Sequence, residues 1–248
     1  MLTKNVDYNV RQSNLYIILY AIGLTIVCGG LLALAAQGLK EDQDKNIAQE
    51  RKQNILSTAI DLKEGDNIDE IYNERVEALV VDYDGNVKEG VKPEDVNLTA
   101  EYKKPARERL LPIYELKSAS DPNKVESIVL PVYGFGLWND IWGFIALEDD
   151  LNTIKGVKFQ HKGETPGLGA RISESGDIAP RYEGKKIFDG NTLVSVTMMK
   201  GEGNNYDDDP HKVDGMSGAT LTAKGVNNML KDYLLSYANY IKKKKVNS

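Results

Sequence analysis

The chain has 248 residues, 41% of them hydrophobic, enough for one or two cored domains. Its formal net charge of −6 argues against a protein that coats phosphate backbones. The one cysteine, Cys28, excludes an internal disulfide and a thiolate metal cluster built from this chain alone, and two histidines, His161 and His211, argue against a dedicated zinc site, so redox chemistry here needs an organic cofactor or a partner protein.

Leu15 to Ala36 (LYIILYAIGLTIVCGGLLALAA) is a run of 22 residues without a charge. At about 1.5 Å per helical residue it covers a hydrocarbon core of roughly 30 Å. Ala33-Leu34-Ala35 has the form of a signal-peptide cleavage site, but signal-peptide apolar cores are shorter, about 7–15 residues, so the run reads as a retained anchor. Tyr16 and Tyr20 suit the membrane interface, and Cys28, in mid-span, reads as an apolar packing residue. Lys4 and Arg11 precede the run; Lys40, Lys45, Arg51 and Lys52 follow it, offset by Glu41, Asp42, Asp44 and Glu50. The positive charges alone do not favour a cytoplasmic N-terminus, a rule that weakens when a long domain follows.

Glu41 to Ile60 is expected to be a helix leaving the membrane, with Ala48, Ile55, Leu56, Ala59 and Ile60 near one face. Asp66 to Glu77 reads as a second helix, Ala78 to Tyr83 as a strand, and Asp84-Gly85 as a hairpin turn. Lys88 to Ser120 is polar, contains Pro93, Pro105 and Pro112, and reads as an irregular connection with short elements. From Lys124 the pattern changes: Val125 to Tyr133, Trp142 to Leu147, Asn152 to His161 and Leu193 to Met199 read as strands. The loops YGFGLWND, KGETPGLG and GEGNNYDDDP join them. The last element is a helix whose Val226, Met229, Leu230, Tyr233, Leu234, Tyr237 and Ile241 form one apolar face that would pack on the sheet. Lys242 to Lys245 reads as a solvated helix end, with attraction to anionic lipid as the second reading. The expected class is α+β: one N-terminal transmembrane helix, then a domain with a twisted, mostly antiparallel sheet and packed helices. The expected organisation is an N-terminal stretch 1–14, the span 15–36, a membrane-proximal α/β segment 37–120 and a C-terminal domain 121–248.

The chemistry concentrates in Asp214-Gly215-Met216-Ser217-Gly218-Ala219-Thr220. Gly218 and Ala219 keep this loop open to close approach. The helix that follows aims free N–H groups and a partial positive charge at it, a geometry that suits a phosphate. A second candidate is Glu164-Thr165-Pro166-Gly167-Leu168-Gly169, preceded by His161; the bland reading is a Pro-Gly turn. The third is Tyr133-Gly134-Phe135-Gly136-Leu137-Trp138, where glycines between aromatics suit either ring packing or a bulge. Asp207-Asp208-Asp209 could hold a hard cation, though such a run is more often a solvated loop. His161 reads as an ordinary strand-end residue rather than a proton carrier.

The stretch Asp-x-x-Ser-Gly-Ala-Thr resembles the flavinylation motif of FMN-binding domains, in which the FMN phosphate is joined to the hydroxyl of the last threonine. Here that residue is Thr220, with Ser217 shaping the loop, Thr222 capping the helix, and Asp214, Gly218 and Ala219 completing the motif. The Glu164 to Gly169 loop resembles a loop of the same domain that lies against the flavin. The resemblance gives Thr165 a polar contact, Leu168 the cover of a ring edge, Gly167 the turn, and Glu164 either cofactor contact or a bond to the motif backbone, with a plain helix cap as the other reading of Glu164. Gly134 and Trp138 are candidates for flavin contact. With the Asn139-Asp140-Ile141-Trp142-Gly143-Phe144 run, the chain resembles the family of C subunits of the Na+-translocating NADH:quinone reductase more than the shorter G subunits of Rnf complexes.

That resemblance implies a single-pass protein of the bacterial inner membrane, with residues 1–14 cytoplasmic and the C-terminal domain periplasmic. A Mg2+-dependent flavin transferase would attach FMN, taken from FAD, to Thr220. The flavin would receive electrons from an iron–sulfur centre in the membrane subunits and pass them to the FMN of the B subunit. The B, D and E subunits are the implied partners, and quinone reduction is coupled to Na+ export. No G-x-G-x-x-G follows a strand, and the one span is uncharged, so this chain carries neither the NADH site nor the ion path. Two alternatives stay open: an Rnf-type subunit with the same chemistry, and a non-redox membrane scaffold whose SGAT loop only caps a helix.

Overall fold

A computed structural model describes residues 13–174 and 176–247. The chain divides into two compact units at the Glu50/Arg51 boundary. In the first, helix α1 (Asn14–Ala59) begins, and every described residue through Glu50 is exposed. Among the described residues only α1 is long and apolar enough to cross a membrane, with a mean hydropathy of 2.5 over its most apolar window. Within the span the Thr25 hydroxyl donates to the Ala21 carbonyl at 2.8 Å, which satisfies its own proton without water. Tyr16 and Tyr20, one turn apart, stack with ring centroids at 6.4 Å. The expected span and the helix expected over Glu41 to Ile60 are one continuous helix, α1. Lys4 and Arg11 lie outside the described residues.

The second unit starts with the end of α1, where Asn54, Ile55, Leu56, Thr58 and Ala59 are buried while Ala48, expected on the same face, is exposed. Helix α2 (Ile68–Arg75) opens on Asn67, whose side chain accepts the Glu70 N–H. Strands β1 (Val76–Val81), β2 (Leu111–Lys117), β3 (Val125–Phe135), β4 (Asp140–Glu148) and β5 (Ile154–His161) form one antiparallel sheet in sequential order. Helix α3 (Leu98–Tyr102) lies in the β1–β2 connection. Alternation along the strands divides the sheet between two cores. Tyr114, Leu116, Val129, Phe144 and Ala146 pack with Ile55, Leu56 and Tyr72. Ile113, Ile128, Leu130, Val132, Ile145 and Leu147 pack with the apolar face of α4 (Thr220–Asn247), where all seven residues read from the periodicity are buried. The boundary expected at residue 120 falls inside this sheet, between β2 and β3.

Two local readings need correction. The segment Lys88 to Ser120 is not merely irregular: it contains β2, the second strand of the sheet. Pro112 hid it, since proline rarely sits in a central strand. Pairing of β2 with β3 begins only at Tyr114↔Val129. Continued in that register, Pro112 would face Pro131, and neither has an N–H for a ladder. The ladder stops there, and the buried Tyr237 hydroxyl reaches both orphaned carbonyls, at 2.9 Å from Pro112 O and 3.0 Å from Pro131 O. Tyr237→Phe leaves them without a donor, and we expect a loss of about 1–3 kcal/mol, read as a fall in Tm of about 2–10 °C.

The strand expected over Leu193 to Met199 is broken. It becomes β7 (Thr192–Leu193), which pairs with β6 (Phe188–Asp189), and β8 (Thr197–Met198), which pairs in parallel with β9 (Lys212–Val213). Between them Val194 and Ser195 both donate to the Ile187 carbonyl, and Ser195 takes a φ of +64°, a bend invisible to a period-two pattern. The lysine tail is solvated at Lys242, Lys243 and Lys245, all exposed, but it also makes contacts. Lys244 pairs with buried Glu115 at 2.6 Å, Lys243 donates to Asn86 at 2.7 Å, and the Lys245 ammonium lies 4.6 Å from the Phe188 ring centroid.

Candidate functional site

Three segments meet at the N-terminal end of α4: the β3–β4 connection, the loop after β5, and the Val213 to Thr220 loop. One carboxylate holds them together. Glu164, 4% exposed, accepts the Trp138 N–H with Oε1 at 3.0 Å and the Thr222 hydroxyl with Oε2 at 2.5 Å. Its own N–H donates to His161 Nδ1 at 3.3 Å, which gives His161 a local structural contact. The approach is so close that a Cβ on Gly136 would stand 2.4 Å from Oε1 and one on Gly169 2.5 Å from Oε2. Glu164 therefore braces the interior of the site. Thr222 is buried and donates to this brace, so its expected capping role is replaced by a tertiary one.

The residues with free surface are different ones. Thr220 begins α4, is exposed, and its hydroxyl makes no hydrogen bond among the described residues. The first intrahelical bond at this end is Ala223 N–H to Ala219 O, so the N–H groups of Thr220, Leu221 and Thr222 precede the helical ladder, the first two on exposed residues and the third on a buried one. Ser217 and Gly218 are exposed and Ala219 is buried. Across from them the 164–169 loop closes on itself, with Leu168 N–H and Ala170 N–H both donating to the Thr165 carbonyl at 3.1 Å and Gly167 at φ +71°. Thr165 is exposed, and Leu168 lies so near Gly218 that a Cβ there would come within 2.9 Å of Leu168 Cδ2. Trp138 is 67% exposed, its side chain free while its N–H is held by Glu164. Gly134 faces inward: a Cβ there would stand 2.8 Å from Met229 Cβ, so this glycine lets β3 lie against α4.

Asp214 turns away from this surface. Its carboxylate accepts the N–H groups of Gly203 at 2.7 Å and Asn204 at 3.2 Å. Burial raises its pKa, but those hydrogen bonds outweigh it and hold the group below the usual value. Glu202 is also held well below its usual value, by hydrogen bonds from Arg171, the Ser217 N–H and Arg181, and Asp177 by its bonds and charge pairing with Arg171 and Arg181. The motif residues and Thr222 were legible in the sequence, though not the bond of Thr222 to Glu164; Glu202, Arg171 and Arg181 were not. The one local trace of Glu202 is its setting between Gly201 and Gly203, both at φ +89°. In the acidic loop, Asp209 pairs with Lys212 at 2.7 Å, and among the described residues no three His, Cys, Asp or Glu side chains gather as a metal site.

The depressed carboxylates make a pH prediction. A carboxylate whose folded pKa lies below its unfolded one contributes stability that is complete above the ordinary range, about 4, and is lost as pH falls through that range toward the folded values. We expect Tm to hold down to about pH 5 and to fall below about pH 4. Glu202→Gln, which no longer titrates, should lose less over the same interval; an equal loss would remove Glu202 from the account.

A family model described as an FMN-binding domain matches residues 136–235, from the β3–β4 connection to the middle of α4. The chain is 33% identical over 231 residues to the C subunit of the Na+-translocating NADH-quinone reductase of Haemophilus ducreyi, covering 84% of each chain. It is 32% identical over 241 residues to the C subunit from Neisseria meningitidis serogroup B, covering 91% of this chain and 90% of the relative. This chain belongs to the family of C subunits of the Na+-translocating NADH-quinone reductases. The fold agrees: the solved C subunit from Parabacteroides distasonis superposes with a TM-score of 0.70 at 31% identity, covering 82% of this chain and 96% of that one. The NqrC of Shewanella oneidensis does so with a TM-score of 0.68 at 27% identity, covering 79% and 97%. In this member of the C-subunit family the FMN-binding match contains all three converging segments, whereas β1, β2 and the Tyr237 bridge lie outside it.

Proposed function

We propose that Thr220 carries FMN through a phosphoester and that the chain is the membrane-anchored electron relay of a Na+-translocating NADH:quinone reductase. The observation that carries the reading is the exposed, unbonded Thr220 hydroxyl at the open N-terminus of a 28-residue helix. The residues fit the group chemically. A phosphate diester needs a hydroxyl and N–H donors, which the exposed Thr220 and Leu221 offer beside the positive end of the α4 dipole. A planar ring needs apolar cover, which Leu168 and Trp138 offer, with Thr165 for a polar contact. Ser217, Gly218 and Ala219 keep the approach to Thr220 narrow and without bulk; Gly167 shapes the facing turn. Glu164, Gly134 and Asp214 act from behind, as supports of that surface rather than as its lining.

In the attachment step Thr220 supplies the oxygen: its Oγ1 replaces AMP at the FMN phosphorus of FAD and its proton passes to water, under a separate flavin transferase. Bound there, the flavin supplies electron chemistry that no side chain of this protein has, taking electrons from a membrane iron–sulfur centre and giving them to the FMN of the B subunit, in a complex with the D and E subunits that exports Na+. In this reading residues 15–36 span the inner membrane, 1–14 are cytoplasmic, and 37–120 with the FMN-carrying 121–248 are periplasmic. The near-full coverage of relatives that are named as C subunits supports this over an Rnf-type subunit.

Mass spectrometry tests the attachment. Trypsin releases Val213 to Lys224 as one peptide. From cells that express the transferase, that peptide should gain one FMN less one water, with the fragment ions placing the gain on Thr220. An unmodified peptide, or a gain on Ser217 or Thr222, would end the assignment.

A further inference from the structure

Beneath the Val213 to Thr220 loop lies an ion-pair box that touches no candidate ligand surface. Arg171 donates to Glu202 at 2.5 and 2.9 Å and to Asp177 at 2.7 and 3.1 Å. Arg181 donates to Asp177 at 2.7 Å and to Glu202 at 3.1 Å. With Asp214 Oδ2 3.8 Å from Arg181 Nη1, three carboxylates face two guanidinium groups, so the box adds no net positive charge beside the loop. Its hydrogen bonds to the loop are all to backbone. Glu202 Oε2 accepts the Ser217 N–H at 3.0 Å, and Arg181 Nη1 donates to the Gly215 carbonyl at 2.5 Å and the Asp214 carbonyl at 3.4 Å.

The contact also runs the other way. The Asp214 carboxylate of the motif holds the N–H groups of Gly203 and Asn204, the two residues that follow Glu202 in the same turn. Each loop thus holds the other's backbone by one carboxylate. The fit between them is close enough that a Cβ on Gly215 would stand 1.9 Å from the Met199 carbonyl and 2.4 Å from that of Gly201. Three residues beyond Ser217 is Thr220, with Gly218 at φ +73° between them. Gly218 is the flexible joint of this segment, so the path of the chain into the first turn of α4 depends on what anchors Ser217 as well as on the Ala219 N–H bond to the Met216 carbonyl.

We infer that Glu202 and Asp214 form a reciprocal clasp, locked by Arg171 and Arg181, and that Glu202 is a positioning residue for modification of Thr220. The inference rests on the proposed role of Thr220 as flavin acceptor. It gives the first residue of the motif a task that does not involve the cofactor: Asp214 holds the loop that holds Ser217. Removing Glu202 leaves Thr220 intact and exposed but lets the segment before it wander, so attachment slows because fewer conformers present the hydroxyl.

The test uses the full chain purified without flavin, then given transferase, FAD and Mg2+. In Glu202→Ala the rate of labelling at Thr220 should fall about tenfold or more at saturating chain concentration, with KM for the chain within about twofold of wild type. Hydrogen exchange of the peptide Val213 to Lys224, read on the same unlabelled protein, should quicken about tenfold. Glu202→Gln, which keeps an acceptor for the Ser217 N–H, should restore part of both. Asp214→Asn should slow labelling as Glu202→Ala does, and the double variant should cost less than the two losses multiplied. Equal labelling rates for wild type and Glu202→Ala would overturn the positioning role, whether or not exchange had changed. A wild type that takes no flavin at Thr220 is a different failure: it overturns the acceptor reading on which the inference stands.

Discussion

Thr220→Val removes all flavin that survives denaturation and leaves Tm within about 1–2 °C of wild type, while Thr222→Val keeps the flavin and lowers Tm by several degrees. The two threonines are two residues apart on one helix and carry the same hydroxyl, so the contrast isolates environment. Thr220 is exposed and its hydroxyl bonds to nothing among the described residues, and Val adds no strain on a first helical turn. Surface substitutions of this kind fall within about 0.5 kcal/mol. Thr222 is 1% exposed and donates to Glu164, so Val there buries a carboxylate oxygen without its donor, at a cost of about 1–3 kcal/mol. In-gel fluorescence of the denatured protein reads the first effect and a thermal melt the second. Flavin kept by Thr220→Val and lost by Thr222→Val would transfer the acceptor to the buried hydroxyl and contradict the geometry of the site.

The second large effect belongs to Glu164. Glu164→Ala strips the acceptor from two buried or half-buried donors, the Trp138 N–H and the Thr222 hydroxyl, and opens a void between Gly136 and Gly169. Two lost bonds to a charged acceptor and the void together amount to about 3–5 kcal/mol, a fall in Tm of about 6–15 °C for a domain of this size. Flavin attachment should fall as well, since the brace joins the loop before Trp138 to the helix that bears Thr220. Glu164→Gln supplies an oxygen for one donor and an N–H₂ that the Thr222 hydroxyl can accept by turning its proton away, so we expect less than half the loss. A Glu164→Ala protein with wild-type Tm and full loading would show that the three segments are held by backbone contacts alone.

Much of this was readable because it is local. The apolar face of α4, the anchor run and the turns at Asp84-Gly85 and Pro166-Gly167 depend on neighbours within one or two turns of chain, and periodicity records those. The same rules missed β2, because Pro112 is a sound argument against a central strand until Pro131 is known to stand opposite it. They also joined β7 to β8, because the bend at Ser195 is made by the Ile187 carbonyl and not by its own side chain.

The site divides in the same way. Taken alone, the order of amino acids settled that one span can cross a membrane, that the part beyond it is α+β, and that a hydroxyl-bearing loop meets a helix N-terminus. The motif resemblance singled out Thr220 among the hydroxyls of Ser217, Thr220 and Thr222, but not what surrounds the other two. Those surroundings depend on Glu164, 58 residues from Thr222, and on Glu202, 15 residues from Ser217. Nor could the sequence tell that Asp214 faces the 201–204 turn or that Gly134 faces Met229. Folding assigned those roles, because a carboxylate or a hydroxyl is a ligand, a brace or a clasp according to what the rest of the chain brings within about 3 Å of it, and that company is a property of the packed sheet and its final helix, not of the motif.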